Sequence, residues 1–267
     1  MSLVAGVCIR INRYKKYKME VFCLKSVFDK LGLYDFLGYI IPGFLGILAM
    51  QIFYENILNI SFPLILDDSL INSIVFVAIS YFSGVIMHEI SQFVQEKVLK
   101  KIWKGMPSEK FLLKADSVCS INEKKSYYSI ANDAFGINDE EYDKEKSQLV
   151  FDRFRTALQQ AGKDERSQLF NTYYGMYRNF STGTLICFLA YLIYSVIVLI
   201  NIIFFKVNIA KDISYIVNGL AFLSFTLILF RRTRRFGETY VKYVFRGFAE
   251  YYRNQMNTNN NKMEEIK

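Results

Sequence analysis

Four apolar stretches, residues 36–54, 70–94, 184–205 and 213–230, are each long enough to cross a bilayer, and none carries a charge at its centre. At about 1.5 Å of rise per residue, a helix needs about twenty largely apolar residues to cross the hydrocarbon. Within lipid the backbone must satisfy its own hydrogen bonds, which a helix does. The expected fold is therefore an all-α membrane protein. Its four transmembrane helices form two hairpins, with a helical cytosolic insert between helices 2 and 3 and a C-terminal amphipathic helix.

Lysine and arginine set the expected orientation, because positively charged loops beside spans stay cytoplasmic. Seven basic residues precede Leu33, fifteen lie in residues 95–181 and nine follow Phe230. The connection at 206–212 holds only Lys206 and Lys211, and the one at 56–69 has Asp67 and Asp68 with no base. Both termini and the insert are expected in the cytoplasm of a bacterial inner membrane. The net charge of +8 then reads as an asymmetry facing anionic inner-leaflet lipid rather than as a nucleic-acid footprint. The chain divides into a basic segment with an interfacial helix (1–33), a first hairpin (34–94), the insert (95–181), a second hairpin (182–230) and a basic amphipathic tail (231–267).

Cys8, Cys23, Cys119 and Cys187 show no C-x-x-C spacing. They are expected as reduced thiols, in neither a disulfide framework nor a zinc knuckle. A cleaved leader is not expected, because the first apolar run starts late and is too long for a signal-peptide core. Met19 is a second candidate start.

In the first span, Pro42 stands with Gly43 and Gly46; the second span carries Ser80 and Gly84 at a small-x-x-x-small spacing. Proline removes a backbone donor and small residues let helix backbones approach, so these positions are expected to kink a helix, act as a hinge or pack helices together. Gly43, Gly46, Ser80 and Gly84 are also the expected contact between subunits of an oligomer.

His88, the single histidine, precedes Glu89, but the i+4 partner of a zinc site is Gln92. Two imidazoles on one helix face are what such a site needs, so no metal centre is expected. His88 lies roughly 27 Å of helix beyond Leu70, at the edge of the hydrocarbon. Asp35, Glu89, Arg178, Arg231, Arg232, Arg234 and Arg235 are expected at the same depth, forming with His88 a charged belt at a cytoplasmic mouth. The midplane offers only serine and threonine as polar groups, against the ionisable or unwound sites of a coupled transporter.

In the insert, a stalk continuing the second span should break at Gly105-Met106-Pro107, residues 131–143 read as loop, and helical periodicity resumes over 143–177 with a break at Ala161-Gly162. No phosphate-binding loop, nucleophile elbow or kinase signature occurs, and no cofactor or enzymatic activity is expected. In the tail, Phe236, Tyr240, Tyr243, Val244, Phe248 and Tyr251 recur at threes and fours. Such a face suits the inner-leaflet surface, or docking on the insert or a neighbouring subunit.

The arrangement, with YDFLGYIIPG at the start of the first span and RRTRRFGETYVKYVFR after the fourth, resembles small four-helix membrane proteins of bacterial phage-defence operons. That resemblance implies a homo-oligomeric effector or sensor whose cytosolic part receives a protein or a small signalling ligand and controls a pore or membrane disturbance. The alternative is a non-conducting scaffold that recruits a cytosolic enzyme.

Overall fold

The computed structural model describes residues 36–58, 60, 70–116, 118–137, 142–205 and 213–265. The expected interfacial helix and Asp35 lie outside them. The described residues are helical with no strands. In chain order we label α1 Ile41–Ile52, α2 Leu70–Val94, α3 Pro107–Lys110, α4 Ile121–Phe135, α5 Lys144–Gln160, α6 Glu165–Phe205 and α7 Ile213–Glu265. Four helices are long and apolar enough to cross a membrane. They correspond to the four apolar stretches of the sequence.

Two compact units divide the chain, residues 1–88 with 183–222 and residues 89–182 with 223–267. In the first, α1 is flanked by wider π-helical turns at Phe36–Ile40 and Phe53–Ile57. Pro42 falls at the change from π to α, where its missing N–H and its ring are accommodated by a shift in hydrogen-bond register. Here α1 meets α2 backbone to backbone. A Cβ at Gly43 would lie 1.8 Å from the Ser80 carbonyl oxygen, and one at Gly84 would lie 2.0 Å from the Tyr39 carbonyl oxygen. At Gly46 the nearest atom would be the Ser83 hydroxyl at 3.0 Å. These small residues make the close helix packing expected of them within one chain. Ala49, Ile52, Cys187 and Ala190 form a small core beside them, and the Cys187 thiol donates to the Leu45 carbonyl at 3.2 Å. Large side chains point outward instead, among them Phe82 and Ile86 on α2 and Leu199 on α6. Small residues inside and bulky apolar residues outside suit a solvent of lipid tails.

The second unit is built like a soluble helical domain. After α2 the chain passes through Gln95–Leu99 and Lys100–Ile102 and breaks where Lys104 and Gly105 adopt positive φ. Ser120 caps α4 in a reciprocal box with Glu123, and Gly136 ends it in the left-handed conformation at φ 67°, which costs glycine little. Asp143 caps α5 by accepting from the Lys146 N–H at 2.8 Å. The expected break at Ala161-Gly162 is present, with Gly162 at φ 62°. Residues 131–135, expected as loop, belong to α4. Ala131 is fully buried and Phe135 stacks on Phe248, centroids 5.5 Å apart. Packing of that inner face outweighs the turn preference of the outward Asn132 and Asp133.

One aromatic core joins α4, α5 and the later part of α7. Phe245, fully buried, stacks on Phe111 at 4.6 Å and meets Phe154 at 5.1 Å. Tyr240, Val244 and Phe248 belong to the same core. Of the surfaces expected for the tail's apolar face, the insert is the one it covers. Phe236 and Tyr243 add stacks on Tyr177 and Phe170 of α6.

Candidate functional site

The residues expected to form a charged belt are placed as follows. Asp35 lies outside the described residues. His88 packs its ring against Tyr39, centroids 5.6 Å apart. Glu89 is exposed and makes no ion pair among the described residues. Arg234 pairs with Glu238 one turn along its own helix at 2.8 Å, while Arg231, Arg232 and Arg235 are exposed. Arg178 differs. It is buried and donates to Gln95 Oε1 at 3.2 Å. One turn of α2 earlier, the Ser91 hydroxyl donates to Asn179 Oδ1 at 2.6 Å, both residues fully buried. These bonds form a polar seam between α2 with its continuation and α6. Periodicity flags such neutral residues poorly, because Ser91 and Asn179 look like ordinary helix-surface residues.

Two polar contacts organise the aromatic core's rim. Glu123 of α4 accepts from Arg246 of α7 at 2.9 Å, and this arginine, helped by the capping bonds of Ser120, holds the carboxyl down at about 2. The Cys119 thiol donates to the same carboxylate at 3.4 Å, and burial raises it to about 11. A thiol held that high is protonated near neutrality and a poor nucleophile. Burial likewise raises Tyr127 to about 12. Lys124 is buried, its ammonium donating to the carbonyls of Leu113 and Asp116. It therefore fixes the loop before α4 instead of lying in solvent.

A feature that sequence patterning did not reveal is a cavity of about 570 Å³ in the second unit. Lys97 and Lys100 line it from the continuation of α2, Phe151 and Arg155 from α5, Tyr174 from α6 and Tyr240 from α7. Gly237 brings α7 close to Tyr174, since a Cβ there would lie 2.9 Å from the ring. Lys100 is held by Glu109 at 2.6 Å, and Glu109 also accepts from the Met106 N–H at 3.0 Å. Arg155 Nε and Tyr174 Oη are buried with no hydrogen-bond partner. Buried donors of this kind are uncommon, since each forfeits its hydration. Among the described residues no cluster of His, Cys, Asp and Glu is suited to a metal ion.

Among the described residues, fold and composition thus define a helical chain with four helices able to span a membrane and an aromatic-cored helical unit. No family model, curated protein or solved structure matches this chain.

Proposed function

We propose that this protein is an oligomeric, multi-pass effector or sensor of the bacterial inner membrane, acting in defence against phage. Residues 95–181 and both termini lie in the cytoplasm, and this cytoplasmic module controls a pore or membrane disturbance. The observation that carries the reading is helix continuity. α6 and α7 each hold an apolar span and a segment buried in or against the aromatic core without a break between them. A change in the module's packing acts directly on helices that also enter lipid. The basic residues concentrated in the module and tail supply the orientation and an attraction to anionic headgroups.

Two measurements test this together. Cysteine placed at exposed Lys125 should resist an impermeant maleimide in intact cells and react after lysis. Purified protein reconstituted in phosphatidylglycerol-containing vesicles should release an entrapped dye, and its leakage should depend on residues of the module. Labelling in intact cells would reverse the orientation. A correctly oriented protein that never permeabilises vesicles and leaves cell growth untouched would overturn the effector reading in favour of a scaffold.

A further inference from the structure

We infer that the cavity lined by Lys97, Arg155 and Tyr174 binds a soluble, phosphate-bearing small molecule of about nucleotide size. This names the ligand class for the module in the proposed effector, and rests on that reading only for its consequence in the membrane.

The donors around the cavity come from three directions. Lys97 stands on the continuation of α2, Arg155 on α5 and Tyr174 on α6. Lysine and arginine are donors only, and a neutral tyrosine hydroxyl can donate, so the matching group must present several acceptor oxygens. A carboxylate has two oxygens in one plane. A phosphoryl group presents three in a tetrahedral arrangement and can meet donors converging from separate helices, and a guanidinium beside it gives a charge-assisted bond. The charge balance points the same way. Of the acids on the lining, Glu109 is already engaged by Lys100 and by the Met106 N–H, and Glu96 is exposed. Lys97 and Glu96 both stand exposed at the rim, and the lining as a whole keeps one positive charge in excess (Lys97, Lys100 and Arg155 against Glu96 and Glu109), carried inside by Arg155.

Size and wall chemistry narrow the class further. A volume of about 570 Å³ exceeds what inorganic phosphate fills and falls within the range of about 300–1,000 Å³ usual for small-molecule sites. Phe151, Tyr174 and Tyr240 supply aromatic surface beside the cations, suited to the flat or sugar-like remainder of a nucleotide. The position is also consequential, because the cavity is walled by the continuation of α2 and by α6 and α7, the helices that carry three of the four spans.

The test is thermal unfolding of the full chain in detergent with AMP, ATP, cyclic AMP and ribose 5-phosphate, beside adenosine, succinate, inorganic phosphate and phosphatidylglycerol vesicles. At least one organic phosphate at about 100 times its Kd should raise the midpoint by about 5 °C or more. Adenosine and succinate should not. Arg155→Met should abolish the shift, and Tyr174→Phe should weaken it. Lys97→Glu, at an exposed rim position, should remove it while leaving the unliganded midpoint unchanged, which separates lost binding from lost folding. The proposal is overturned if no organic phosphate shifts the parent. It is equally overturned if adenosine or succinate matches the phosphates, if phosphatidylglycerol vesicles alone give the shift, or if Arg155→Met and Lys97→Glu retain it. Dye release without nucleotide is scored separately. Leakage with no ligand shift removes the cavity and keeps the effector, while a ligand shift without leakage does the reverse.

Discussion

The ring of Phe248 stacks on that of Phe154, centroids 4.2 Å apart and planes 29° from parallel, which binds the end of the chain into the core of the central helices. Phe154 is wholly enclosed and Phe248 nearly so. Truncating either leaves a void that close-packed neighbours fill only in part. Phe154→Ala and Phe248→Ala should each cost about 3–5 kcal/mol, and the double variant should cost less than their sum because they share one contact. Hydrogen exchange of α4 and α5 amides checks this. Met256→Ala, at an exposed position, should leave exchange unchanged.

Gly43 and Gly84 should tolerate no side chain. Gly43→Ala forces a methyl carbon onto the Ser80 carbonyl, a backbone atom that cannot swing aside, and should lower stability by about 1–3 kcal/mol. Gly46→Ala meets a rotatable serine hydroxyl and should cost less. Melting in detergent ranks the two. A Gly84→Leu protein that keeps its melting temperature while losing its oligomer would place these residues at a subunit interface instead.

Ser91 and Glu89 stand two residues apart on α2 with opposite consequences. Ser91→Ala removes the buried hydrogen bond that Asn179 Oδ1 accepts, worth about 1–3 kcal/mol. Glu89→Gln alters an exposed carboxylate that pairs with none of the described residues, and should stay within about 0.5 kcal/mol. Equal losses in thermal melting of the two variants would favour the charged belt.

Acid should loosen the Glu123–Arg246 contact. The carboxyl sits at about 2 in the folded protein against an ordinary 4.5. Its contribution is therefore complete above about 4.5 and disappears as pH falls through about 2. Glu123→Gln should flatten this part of the stability profile, measured by tryptophan fluorescence of Trp103. An unchanged acid limb would mean the pair is fully screened.

Sequence alone determined the four spans, because crossing lipid demands a length of apolar helix that no neighbour can supply. It also determined the breaks near Gly105 and Gly162, where a positive φ is a local property favouring glycine. Tertiary structure decided what the helices pack against. The tail's apolar face was legible, but its partner was not, since Phe248 would serve equally well against lipid or Phe154. Helix rise fixes the height of a charge and says nothing about which way its side chain faces, so the bond of Arg178 to Gln95 and that of Arg234 to Glu238 were not legible. Lys124 shows the same limit, a cation by composition whose burial follows only from two carbonyls folded over it. The cavity beside Arg155 and Tyr174 left no trace in periodicity, for its walls come from helices far apart in sequence.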